Sequence, residues 1–363
     1  MSNTNNRKFL AGFIVTILVL TSLGRLSLEL PQFPSLKRFW VMQSPGTNFF
    51  PTIRQQHIWV KQQATIDQTI VILGGSSFLL GNGQPVELST GVVLQQKLGP
   101  SFKVINLAVQ GGGAFGQGLY VASKLRSEGY KVIFVSDINP GYAPPFENDT
   151  PYAYSYWQAR FAGFLKDSQG DQGGFTSVAF NYKSVLAFLN QYLYFQELAN
   201  YVSYNYVKIN NSPYSGLPNF TPLGKWKDEE KVIPFEERHK NTAIEEAYFK
   251  QAYAYADRFY ITESTYREVA QKYFEGITAA NSPRTILVAC ESNPRYLAPI
   301  EKELLKNYYS IINSQIKALN RKGLEAHSAC EGFSQEDYGD IIHLVPSGAE
   351  KLASKLAWWI NEK

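Results

Sequence analysis

The chain is short of the residues from which metal and redox sites are built. Its 363 residues include two cysteines and four histidines. Cys290 and Cys330 form no C-x-x-C pair, so zinc and thioredoxin-like readings have no support. His57, His239, His327 and His343 contain no H-x-x-x-H pair, which removes the usual helix-borne metal site. No metal or other cofactor is expected. Charge of one sign is also scarce: 35 basic against 31 acidic residues leave a net +4. With no Lys/Arg run beside it, so small an excess excludes nucleic acid as an expected partner. The G-x-S-x-G elbow is missing, which argues against an α/β-hydrolase. The chain also lacks internal repeats and low-complexity tracts.

What is present is apolar and aromatic. Hydrophobic residues make up 44% of the chain, enough for a sizeable core in one large domain or two modest ones. The 23 Tyr, 23 Phe and 6 Trp suit either stacking on sugars or a large core. The clearest topological signal is at the start. Arg7 and Lys8 precede an uncharged, mostly apolar run over 9–24, and Arg25 closes it. The run is slightly short of the roughly 20 residues that span a bilayer comfortably. It reads as a signal-anchor or a cleaved signal peptide, and the absence of a small-x-small cleavage site favours a retained single-pass anchor over residues 1–25. The short basic head places the large domain outside the cytoplasm, although Lys37 and Arg38 weaken that bias.

Pro31, Pro34, Pro45 and Pro51 mark 26–65 as a linker. Regular alternation follows over 66–363. Strands are expected at 68–73, 102–109, 131–136, 284–290 and 324–328, and helices at 88–98, 117–127, 299–321 and 346–361. Ser347 and Glu350 suggest a capping box at the start of the last helix. An aromatic-rich insertion, mostly helical, interrupts the series at about 142–282, with helical stretches at 185–204 and 242–273. Its position just after the third strand suits a cover over a site, and Tyr152, Tyr154, Tyr156 and Trp157 suit either glycan stacking or the insertion's own core. The β-α-β series on either side argues for one three-layer, doubly wound parallel sheet. Cys290 and Cys330 are either one disulfide, if the chain is exported, or two buried thiols.

In such a sheet, functional residues gather where strands end. The first strand runs into Gly74-Gly75-Ser76-Ser77, the second into Gly111-Gly112-Gly113, and the third into Asn139. Asp340 and His343 stand just before the last helix. A serine becomes a useful nucleophile when a base takes its proton, and His343 is the candidate base. An aspartate three residues earlier can hold the second ring nitrogen and stabilise the imidazolium. The backbone N–H groups of Ser77 and Gly111 and the Asn139 amide are candidate oxyanion donors.

These pieces together resemble the SGNH/GDSL hydrolase superfamily. Its first block is matched by Gly75-Ser76-Ser77-Phe78-Leu79-Leu80-Gly81, with Ser76 in place of the family's aspartate. The spacing to Gly81 favours Ser77 as nucleophile over Ser76. The second block is matched by Asn106-Leu107-Ala108-Val109-Gln110-Gly111, and the third keeps only Asn139 of its Gly-x-Asn-Asp. The most specific match is Asp340-Ile341-Ile342-His343-Leu344 with Pro346 and Gly348. The resemblance covers about 68–360 outside the insertion and implies an SGNH-hydrolase, flavodoxin-like sheet. It also implies a Ser77–His343–Asp340 triad that makes an acyl-enzyme from an acyl, notably acetyl, ester. Water as acceptor makes an esterase, and a sugar hydroxyl makes an O-acyltransferase. The anchor and the insertion resemble proteins that handle O-acyl groups on extracytoplasmic polysaccharides, such as alginate O-acetylation proteins. Those commonly work beside a membrane-bound O-acyltransferase.

Two other readings compete. An inactive relative that binds glycan or a partner fits the altered first and third blocks. Gly111-Gly112-Gly113-Ala114-Phe115-Gly116 fits G-x-G-x-x-G with Asp137 as the ribose-binding acid. A dinucleotide site there leaves Asp340 and His343 unexplained and sits on the second strand.

Overall fold

A computed structural model describes residues 3–34, 36, 51–75, 79, 86–108, 116–137, 157–164, 182–208, 219–220, 243, 245–250, 252, 284–321 and 323–362. The first helix, α1 (Asn3–Ser27), contains the apolar N-terminal run, and its stretch Arg7–Ser27 is long and apolar enough to cross a membrane. Residues 53–63, placed in the linker by their neighbouring prolines, form helix α2 (Ile53–Gln63) instead. Thr52 and Gln55 close a capping box at its start, and Ile53, Trp59 and Val60 are buried.

The apolar runs become parallel strands. They are β1 (Thr69–Gly74), β2 (Phe102–Asn106), β3 (Lys131–Asp137), β4 (Arg284–Ala289) and β5 (Glu325–Ser328). Their order is β2-β1-β3-β4-β5, with every neighbouring pair parallel. β1, β3 and β4 are internal and almost wholly buried, as expected of strands covered on both faces. The edges β2 and β5 are shorter and half-buried.

Helices α3 (Thr90–Leu98) and α9 (Pro346–Asn361) cover one face. Val71, Leu73, Val135 and Val288 meet Val93, Leu94, Leu352 and Leu356 there. Helices α2, α4 (Gly116–Ser127) and α8 (Lys302–Arg321) cover the other, where Ile70, Ile72, Phe134 and Leu287 meet Trp59, Leu125, Leu304 and Tyr308. The alternation of strand residues between the two faces follows from the period of two along a strand. Between β4 and α8 lies one short helix, α7 (Pro294–Leu297), so the long helix starts three residues later than the sequence pattern suggests.

Two further expectations are corrected. The helical stretch 185–204 is two helices, α5 (Tyr182–Leu193) and α6 (Phe195–Tyr206), broken at Tyr194, whose φ is 57°. Asn190 spans the break: its backbone oxygen accepts the Tyr194 N–H in the last α5 turn, and its side-chain oxygen accepts the Gln196 N–H at the start of α6 at 2.7 Å. The capping box at Ser347 does not form. Pro346 occupies the first helical position, so Ser347 is already inside the helix and Glu350 pairs with Lys97 at 2.5 Å. In the insertion, Trp157 is core: it is buried and its ring stacks on Phe161. Tyr152, Tyr154 and Tyr156 lie outside the described residues.

Candidate functional site

Because all five strands are parallel, their carboxyl ends share one edge of the sheet. In the order β2-β1-β3-β4-β5 the winding reverses between β1 and β3, the position at which open α/β sheets generally bind their ligands. Gly75 stands at the β1 end with φ 102°, a conformation that glycine adopts easily. A Cβ there would collide with the Asp137 carboxylate at the neighbouring β3 end. Asn106, at the β2 end, is buried and ties this edge together. Its amide donates to the Leu79 carbonyl at 2.8 Å, and its oxygen accepts the Ala108 N–H at 3.0 Å. Ser76, Ser77, Gly111 and Asn139 lie outside the described residues; their described neighbours Gly75, Ala108 and Asp137 stand at or just past the carboxyl ends of β1, β2 and β3.

The histidine half of the site is described in full. Between β5 and α9 the chain forms a tight loop in which Asp340 and His343 meet. Asp340 Oδ1 accepts the backbone N–H groups of Ile342 at 2.9 Å and His343 at 2.7 Å. Its other oxygen, Oδ2, lies 2.5 Å from His343 Nδ1. Both side chains are mostly buried, with 21% of His343 and 13% of Asp340 exposed. Burial by itself would raise the Asp340 carboxyl. The nearby imidazole, its hydrogen bond and the two backbone donors outweigh burial and hold the group at about 2, well below its usual value. Asp340 is therefore a carboxylate throughout the physiological range. With Nδ1 committed to Asp340, base chemistry falls to Nε2.

The loop is braced from three sides. His343 O accepts the Gly339 N–H at 2.7 Å, which closes the turn on itself. From the β4 side, the Asn293 backbone N–H donates to Ile341 O at 2.8 Å, and the Asn293 amide donates to Asp340 O at 3.0 Å. From the α9 side, Lys351 Nζ reaches the buried Asp337 carboxylate at 2.6 Å, and Val345 N–H donates to Asp337 O at 3.0 Å. Burial opposes the Asp337 charge, but Lys351 and the Ser334 N–H win and hold its carboxyl below the usual range. A disulfide, Cys290–Cys330, joins the β4 end to the loop after β5. It resolves the choice between a bridge and two thiols.

Asn293 and Asp337 are residues that the sequence reading missed. The signal for Asn293 was its Asn-Pro step, since it caps α7 by accepting the Arg295 N–H at 3.0 Å. Asp337 had a weaker signal, the Ser334-x-x-Asp337 spacing of a capping box. Among the described residues, no group of three or more His, Cys, Asp or Glu is placed to hold a metal ion.

No protein-family model matches the chain, and no curated protein does. Among solved structures, the native aryl esterase of M. smegmatis is similar over 81% of this chain and 99% of its own, at 12% identity and a TM-score of 0.31. A second solved structure is similar over 81% of this chain and 98% of its own, at 13% identity and a TM-score of 0.34. Likenesses this shallow carry no argument about the site.

Proposed function

We propose that this chain is a membrane-anchored serine esterase or O-acyltransferase of the SGNH type, acting on acetyl or similar esters of an extracytoplasmic polysaccharide. The observation that carries the reading is the braced Asp340–His343 pair in the loop that leads from β5 into the last helix. A carboxylate that grips both the imidazole and the backbone of its own loop fixes one tautomer and one ring orientation. Those are the demands on the base of a serine nucleophile.

In this reading Ser77 Oγ attacks the ester carbonyl while His343 Nε2 takes the hydroxyl proton. The carbonyl π-bond opens to an oxyanion, held by the Ser77 and Gly111 N–H groups and the Asn139 amide. The C–O bond to the leaving alcohol then breaks, and His343 returns the proton to that alcohol. An acyl-Ser77 remains. In the second half, His343 deprotonates the acceptor, which attacks the acyl carbon; the bond from that carbon to Ser77 Oγ then breaks and His343 returns the proton to Ser77. Water as acceptor gives hydrolysis, and a sugar hydroxyl gives transfer. The anchor α1 keeps the site near the membrane, where a membrane-bound O-acyltransferase is a fitting partner.

The test is covalent labelling of the full chain with a fluorophosphonate, mapped by peptide mass. Label on Ser77, lost in His343→Ala, is the expected result. Label on Ser76 moves the nucleophile by one residue, and no label overturns the reading. Incubation with an acyl-ester donor, with and without oligosaccharide, then separates hydrolysis from transfer.

A further inference from the structure

Helix α5 is built inside out. Its buried side carries Ser184, Ala187 and Asn190, with Asn190 only 7% exposed. Its outward side carries Val185, Leu186, Phe188 and Leu189, all more than 40% exposed, with Tyr182 and Tyr192 at 61% toward its two ends. Phe195 and Val202 of α6 are exposed apolar residues as well. The inner side is anchored by polar chemistry. Asn190 donates to the fully buried Glu197 at 2.8 Å, and Glu197 accepts from Thr52 at 3.0 Å and from Arg54. A water-facing helix has the opposite pattern, with its apolar stripe turned to the core.

The location of this face says what covers it. The last turns of α1 rest on the α5–α6 hairpin. Gly24 is buried so closely against Tyr194 that a Cβ at Gly24 would overlap the Tyr194 backbone. Before that point the helix is bare, with Phe9, Phe13, Leu18 and Leu23 all exposed. The apolar stretch Arg7–Ser27 has 21 residues, or about 31 Å of helix, close to the hydrocarbon thickness of a bilayer. The hairpin therefore docks where α1 leaves the hydrocarbon. At that depth an apolar helix face with tyrosines toward its ends matches the boundary between headgroups and acyl chains.

We propose that α5 is a second membrane contact, lying in the bilayer interface beside the anchor with Val185, Leu186, Phe188 and Leu189 in the acyl region. This inference rests on the anchor reading above. One helix leaves a tethered domain free to swivel; a second contact fixes its attitude to the lipid.

The experiment uses the full chain in phosphatidylcholine vesicles, carrying one introduced cysteine labelled with an environment-sensitive fluorophore. Cys290 and Cys330 are bonded to each other and take no label. Three positions are compared: Val19→Cys in α1, Leu189→Cys in α5, and Ser354→Cys on α9, on the opposite face of the sheet. Each is exposed, so labelling leaves the fold intact. The expected result is loss of fluorescence to nitroxide-bearing lipids at positions 19 and 189, and to aqueous iodide alone at 354. Quenching by lipid at 19 but by iodide alone at 189 overturns the α5 contact and leaves the anchor standing. Quenching by iodide alone at 19 overturns the anchor, and this inference with it. Shielding of 189 from both quenchers overturns a lipid contact in favour of cover by protein, a second copy included.

Discussion

Replacing Asp340 with asparagine separates a catalytic pair from a structural loop cap. Asparagine keeps a carbonyl oxygen that can accept the Ile342 and His343 N–H groups, now at 2.9 and 2.7 Å. The atom facing His343 Nδ1, 2.5 Å away, changes from an acceptor to an NH₂ donor. The ring then accepts at Nδ1 and carries its proton on Nε2, so the base is spent before the reaction begins. In serine proteases the same change lowers kcat about 10⁴-fold, and at about 1.4 kcal/mol per factor of ten that is roughly 5.5 kcal/mol of barrier. Stability should fall less, by about 1.5–3 kcal/mol for the charged hydrogen bond. The assay is hydrolysis of p-nitrophenyl acetate by the full chain in detergent micelles, read beside its thermal unfolding. A loss of kcat under tenfold with the fold intact would refute the pairing. pH gives a second readout. The folded carboxyl sits at about 2 against 3.8 for the free group. Its contribution to stability is thus complete above about 4 and is lost as pH falls through about 2. Asp340→Asn removes that group's share of the acid destabilisation.

Three other outcomes follow from the geometry. Gly75→Ala places a side chain at φ 102° and against the Asp137 carboxylate; it should cost at least about 1–3 kcal/mol of stability, read by thermal or denaturant unfolding. Reduction of Cys290–Cys330 opens a 40-residue loop and should cost about 4 kcal/mol in denaturant titrations with and without reductant. Glu197→Ala strips the partly buried Arg54 of its carboxylate and should cost about 3–5 kcal/mol, whereas an exposed change such as Glu303→Ala should stay within about 0.5 kcal/mol in the same unfolding assay.

The parts of the fold visible in the sequence are those set by burial on two sides. Residues 70–73, 132–135 and 286–289 are unbroken apolar runs because each strand is covered above and below. The Asp340-x-x-His343 spacing was readable because its chemistry is local to four residues. What escaped depends on partners far away in the chain. Helix α2 hides behind prolines and four glutamines, and only the Thr52-x-x-Gln55 cap announces it. The break at Tyr194 has no glycine or proline to mark it. The partners found there are Asn190 and Arg54, whose guanidinium lies 4.3 Å from the centre of the Tyr194 ring. The supports of the candidate base were equally distant: Asn293 lies 47 residues before Asp340 and contributes through the β4 end.

The sheet order has a consequence for when the site comes into being. β1 is the first strand made, but the Asp340–His343 loop follows the last strand, and α9 must then pack against α3 beside the earliest part of the domain. Closing so long a chain makes this docking a late folding event. A nascent chain that has made four strands holds the Gly74-Gly75 end of β1 and lacks the Asp340–His343 pair. The Asp340–His343 pair is therefore complete only once α9 has seated against α3.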